Sequence, residues 1–170
     1  MVPDAVRPAE IDETPADGEL PAPYACRMAA EKAAAVAASE PGSLVLAADT
    51  VVAVGRRILP KTEQEEEARA CLALLSGRRH RVLSAVALIA PDATARHRLS
   101  TSIVAFKRLS VEEIEAYLAS EEWRGKAGCY AIQGRAEALV RFMSGSHSGV
   151  VGLPLLETRA LLRAAGYALG

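Results

Sequence analysis

No charge of one sign dominates this sequence. Twenty lysines and arginines stand against 21 aspartates and glutamates, for a formal net charge of −1. That excludes a global basic field drawing the chain to a nucleic acid polymer or an anionic lipid surface. Any phosphate must therefore be held by a local cluster of cations. No apolar stretch approaches the ~20 residues a membrane span needs, and the N-terminus lacks the basic-then-apolar order of a secretion signal. Cysteine is sparse: Cys26, Cys71 and Cys129 are odd in number and too widely spaced for a disulfide framework or the paired ligands of a zinc site. They read as small buried apolar residues in a reducing cytoplasm. His80, His97 and His147 are scattered without ligand spacing. What is abundant is apolar side chain, 51% of 170 residues, enough for one filled core. A single domain over residues 1–170 is the expectation.

The most informative stretch is Leu44 to Val54, LVLAADTVVAV, of strand length and broken in its middle by Asp49 and Thr50. A carboxylate in so apolar a run loses its hydration on folding, which costs several kcal/mol, on the order of the penalty for a buried ion, unless a cation, a metal or convergent donors replace the water. On the run alone, two readings stand side by side: a structural Asp that accepts backbone N–H bonds, and a functional carboxylate.

Residues 1 to 20 carry six acidic groups, one arginine and three prolines, a composition that reads as a surface loop or end. Within it, Ile11-Asp12-Glu13-Thr14-Pro15 sets two carboxylates beside an apolar anchor, either a solvated acidic run or part of a site. Prolines and then an alanine-rich run predict a helix from Pro21 to Ser39. Its stripe Met28, Lys32, Val36 projects one lysine from an apolar face, and Arg27 can pair with Glu31 at i, i+4. Lys32 either snorkels to water or aims at a phosphate. Gly55-Arg56-Arg57 predicts a hairpin turn into Ile58-Leu59, with Lys61 just beyond.

Residues 63 to 75 open acidic and turn apolar at Ala68, Cys71, Leu72 and Leu75, as an amphipathic helix should. RHRVLSAVALIA and the segment Arg98 to Phe106 read as an antiparallel hairpin across Pro91-Asp92. A capping-box start at Ser110 and Glu113 predicts a third helix to Ser120, with Ile114, Tyr117 and Leu118 inward. The stretch Trp123 to Gly134 combines three glycines, Lys126 and Gln133, which suits a backbone that approaches a ligand closely but matches no nucleotide-binding fingerprint. Trp123 is expected to pack at the loop edge. A last helix follows in GLPLLETRALLRAAG, stopped at Gly166. The sum is an α/β chain with a mixed, twisted sheet flanked by helices.

Taken together, IDETP, YACRMAAEKA, AADTVV, Lys61 after a strand, LSGRRHRV, Thr101 to Phe106, GKAGCYAIQG and SGSHSGVVGLPLLETRALL resemble, in order and over nearly the whole chain, the Maf proteins. That resemblance implies a Maf-like fold, related to the inosine triphosphatase type. It also implies nucleoside triphosphate pyrophosphatase activity, in which the α–β phosphate bond is cleaved to leave the monophosphate and pyrophosphate. In that scheme Asp49 accepts the proton of the attacking water, and with Glu13 holds a divalent metal, Mg²⁺ or Mn²⁺. Lys32 and Lys61 neutralise the triphosphate, with Arg27 and Lys126 as further candidates. Thr50 and Gln133 occupy the positions that carry selectivity and show the pattern of members acting on dTTP and UTP; an amide can both donate to and accept from a pyrimidine edge. A homodimer is also implied.

The resemblance contains one departure. Family members begin with a strand ending in Ser-x-Ser-Pro-Arg-Arg and a helix, and the present sequence begins after both. The expectation is that a first strand–helix unit is missing, that its strand belongs in the middle of the sheet, and that its loss exposes strand edges and weakens catalysis. An alternative function follows, a catalytically weakened nucleotide-binding or division-linked interaction protein.

Overall fold

The computed structural model describes residues 2–168. Helix α1 spans Pro21–Ser39, with proline in its first turn, where no amide partner is lost. Strand β1 runs Val45–Val54, turns through Gly55 into β2 at Arg57–Leu59, and α2 follows at Glu65–Leu75 with three glutamates at its positive end. The long hairpin of β3, Arg79–Ile89, and β4, Ala95–Phe106, precedes α3 at Val111–Leu118. The capping box forms as expected, Ser110 accepting from the Glu113 amide and Glu113 from the Ser110 amide. Strand β5, Val140–Ser144, and the helices α4, His147–Val151, and α5, Leu155–Ala164, complete the chain.

The five strands form one sheet in the order β2-β1-β3-β4-β5, and every pairing is antiparallel. The mixture in this α/β fold is thus of helices and strands, not of strand directions. The outer edge of β1 is open: β2 pairs only with Val52–Val54, and Val45–Val51 have no strand beside them among the described residues.

Strand alternation divides the core. Val51, Ala53, Leu83, Ala85 and Ala87 face α1 and pack on Tyr24, Met28, Ala29 and Ala33. Val52, Val82, Val104 and Phe106 face α2, α3 and the glycine-rich loop. At the far end, Val86 and Leu88 meet Leu161 and Leu162 of α5.

Several expectations change. Trp123 is fully buried and its indole N–H donates to the Leu118 carbonyl at 3.0 Å, so it belongs to the core and not to a loop edge. Cys26 is only half-buried, whereas Cys71 and Cys129 are buried. Strand β4 starts three residues before Arg98, since pairing with β3 persists to Ala95. Strand β5 and α4 have no counterpart in the sequence reading. The first twenty residues are mostly exposed loop, yet tethered: Arg7 pairs with Glu40, and the Tyr24 hydroxyl donates to the Glu13 carbonyl at 2.6 Å.

The glycine-rich loop is locked in by contact. Gly128 has φ +66°, and a Cβ there would lie 2.7 Å from the Val52 side chain, while its amide donates to the Pro60 carbonyl. Only glycine fits. Gly128→Ala should therefore cost about 2 kcal/mol or more, through crowding added to the left-handed backbone. Gly42→Ala, also at positive φ but in open space, should cost about 1. Denaturant melts of the two variants test the difference; equal losses would show that crowding is absent.

His80 lies on the same side of the sheet, 2% exposed, its Nε2 2.9 Å from the Tyr130 hydroxyl and its ring edge-on to Phe106 and Tyr130. Burial pushes the imidazole down to about 4 from 6.5. The unfolded chain then binds the extra proton between those values, so stability rises with pH across this window and is lost as pH falls from 6.5 toward 4, by on the order of 3 kcal/mol. In His80→Gln, which keeps a partner for Tyr130 but cannot titrate, that slope should flatten; chemical denaturation at a series of pH values reads it.

Candidate active site

Alternation along β1 sends Asp49 to the α1 face and Thr50 to the opposite face. Asp49 is 4% exposed. One α-helical turn beyond Met28, Lys32 reaches its Oδ1 at 2.7 Å and also bonds Glu13 Oε1 at 2.6 Å. Lys61, carried on the segment after β2, bonds Glu13 Oε2 at 3.0 Å and Asp49 Oδ1 at 3.3 Å. Two carboxylates and two ammoniums therefore alternate in a closed ring. Lys32 does not snorkel to water; its side chain is 15% exposed because the carboxylates turn it inward.

Charge in the ring is mutually supported. Burial works against the charged form of Glu13, but bonds from Lys32 and Lys61 outweigh it and hold the carboxyl below its ordinary range. Burial likewise opposes the charged Lys61, and Asp49 together with Glu13 outweighs it, raising the ammonium. Burial and then the negative charges of Asp49 and Glu13 push the Tyr24 phenol up, so it stays a donor to the Glu13 backbone.

The ring opens on a cleft of about 270 Å³. Lys32, Asp49, Lys61 and Lys126 line its polar part; Thr50, Val52, Val82, Tyr130, Gln133 and the Val150–Gly152 segment line the rest. The cleft touches both faces of β1: Asp49 and Thr50 both line it, and among the described residues no strand pairs with the outer edge of β1 at that height. Of the residues expected from the sequence, Lys32, Asp49, Thr50, Lys61, Lys126 and Gln133 line the cleft, and Glu13 closes the ring beside it. Arg27 does not reach it. Its guanidinium bonds Glu19 at 2.7 and 2.9 Å and the Thr14 carbonyl at 3.1 Å, with Glu31 at 3.4 Å, so it ties down the loop that carries Glu13. That bond to Arg27 holds the Glu19 carboxyl at about 2. The sequence reading missed Tyr130 and the Val150–Gly152 wall, both of which lie inside quoted motifs but carry no charge to single them out.

No cluster of three or more potential metal ligands occurs among the described residues. The donor set still fits a hard divalent ion. Magnesium commonly uses one or two carboxylates and completes its shell with water and phosphate oxygens, and the ion pairs of Asp49 all run through Oδ1.

Removing one ring member should be felt in proportion to burial. Lys32→Met leaves the Asp49 carboxylate, 2% exposed, with Lys61 alone and should destabilise by about 3 kcal/mol. Glu13→Gln, at a side chain 39% exposed, should cost under about 1. Thermal melts of both variants decide it, and equal losses would contradict a ring centred on Asp49.

The profile of the family "Maf-like protein" matches residues 1–165. A dTTP/UTP pyrophosphatase of Novosphingobium aromaticivorans is 66% identical over 164 residues, 96% of this chain and 82% of the relative. A dTTP/UTP pyrophosphatase of Rhodospirillum rubrum is 62% identical over 170 residues, 100% of this chain and 81% of the relative. One of Caulobacter vibrioides is 58% identical over 167 residues, 98% and 86% respectively. With the fold and the charged cleft already in hand, these matches mean that the chain belongs to the Maf-like protein family.

Proposed function

We propose that this protein is a nucleoside triphosphate pyrophosphatase acting on dTTP and UTP. The observation that carries the proposal is the Asp49–Lys32–Lys61–Glu13 ring at the cleft. The names of the relatives, at 58–66% identity, support the same substrates.

Before substrate arrives, the Lys32 and Lys61 ammonium groups are held by Glu13 and Asp49. A triphosphate brings stronger negative charge to the cleft, and Lys32, Lys61 and Lys126 turn to its oxygens. Asp49 then gives up part of its ion pairing and is free to accept a proton. In this reading it takes a proton from a water that attacks the α phosphorus. The bond from that phosphorus to the bridging oxygen breaks, and pyrophosphate leaves with its charge held by the lysines. Glu13 and Asp49 are the residues that would hold Mg²⁺ or Mn²⁺, which when bound neutralises phosphate charge beyond what the lysines supply. Thr50 and Gln133, which line the cleft, are the residues that would face the base. A homodimer and residence in the cytoplasm belong to the same reading and rest on family likeness.

Asp49→Asn keeps the shape and removes the proton acceptor. Pyrophosphate release from dTTP or UTP with Mg²⁺ should fall by about three orders of magnitude, while calorimetric binding of a non-hydrolysable analogue persists. A variant that turns over at the wild-type rate would show that another group is the base.

A further inference from the structure

Ser84 is 1% exposed and lies on β3 directly across from Thr50. Its Oγ is 2.5 Å from the Gly149 carbonyl oxygen and 3.2 Å from Thr50 Oγ1. Two oxygens 2.5 Å apart need a hydrogen between them, and a carbonyl has none to give, so the Ser84 proton is committed to Gly149. Toward Thr50, Ser84 can then only accept. The other protein partner of Thr50 is the Gly152 carbonyl at 3.5 Å, which also only accepts. The Thr50 proton is therefore drawn inward, and its free lone pairs are what the cleft meets.

We infer that Ser84 is a positioning residue that fixes Thr50 as a hydrogen-bond acceptor, so that the cleft selects bases whose ring nitrogen carries a proton. This rests on the pyrimidine nucleotide reading and deepens it. Uracil and thymine present N3–H, a donor, which an acceptor oxygen satisfies. Cytosine presents a bare N3, and facing the Thr50 lone pairs it leaves two acceptors opposed. The Gln133 amide, able to donate or accept, cannot make this distinction alone because it can flip to suit either base.

Ser84 also pins the segment that forms the cleft wall, and so does a second serine, which supplies the control. Ser102 on β4, also 1% exposed, accepts from the Ser146 amide at 2.9 Å and so anchors the start of α4 without touching Thr50. If wall placement were all that mattered, losing either serine would act alike.

The experiment measures binding of α,β-methylene UTP and α,β-methylene CTP by titration calorimetry, with pyrophosphate release from UTP and CTP alongside, on the wild type and on Ser84→Ala, Ser102→Ala and Thr50→Val. The wild type should prefer the uridine ligand by on the order of tenfold or more. That preference should shrink toward unity in Ser84→Ala, where Thr50 regains a proton to donate to N3 of cytosine. Most of the change should come from tighter cytidine binding. It should also collapse in Thr50→Val, which keeps the shape and needs no buried cavity, so the inference stays testable if Ser84→Ala does not fold. Ser102→Ala should weaken both ligands by the same factor and leave the ratio in place. No preference in the wild type, a ratio unchanged in Ser84→Ala or Thr50→Val, or a ratio moved equally by Ser102→Ala overturns the inference. Preference without any pyrophosphate release would instead defeat the enzymatic reading and leave the Thr50–Ser84 pair standing.

Discussion

The bond from Lys32 to Asp49, 2.7 Å long and almost sealed from water, is the constraint on which the rest of the molecule turns. Neither charge is tolerable alone in that position, and each is supplied by a different layer of the fold. Helix α1 must pack on the sheet in one register for Lys32 to arrive, and its alanine-rich face permits the close approach: Ala25, Ala29 and Ala33 are fully buried. Lys61 and Glu13 then join from a post-strand segment and a tethered loop. An arrangement whose charges answer one another at rest can be redistributed at little cost when a polyanion enters, because the lysines exchange one set of oxygens for another.

The second determinant is where the ring lies in the sheet. Successive side chains of β1 point to opposite faces, so Asp49 and Thr50 would ordinarily be separated by the full thickness of a strand. Both nevertheless line one cleft. One face then gathers charge from α1, and the other gathers hydroxyl, amide and carbonyl groups from β3, the glycine-rich loop and α4.

Much of this was legible in the sequence, for a physical reason. A carboxylate amid LVLAADTVVAV marks itself by its cost, and a lysine on an alanine-rich stripe does the same, so Asp49 and Lys32 stand out in the sequence itself. Helices with strong punctuation, such as the capping box at Ser110 and Glu113 or the stop at Gly166, were placed to within a residue or two. Strand β5 was not, because VRFMS shows neither alternation nor an apolar run and owes its conformation to pairing with β4. Arg27 pairs with Glu31 as its spacing suggests, but its place outside the cleft lining was not legible, because cations look alike in sequence. Only the fold shows that Glu19 and the Thr14 carbonyl claim it. Ser84 and Tyr130 were invisible for the opposite reason: a hydroxyl in a strand or loop costs little, and its role depends on what lies across the sheet.

The central claim is that an incoming triphosphate takes the ammonium groups that Asp49 holds at rest. The carboxyl-carbon NMR signal of Asp49 and the ammonium-nitrogen signal of Lys32, followed as α,β-methylene UTP is added to the intact protein, report that exchange directly. Both signals should shift together and saturate with the ligand. A complex that perturbs Thr50 and Gln133 while leaving the Asp49 and Lys32 signals where they were would contradict the account.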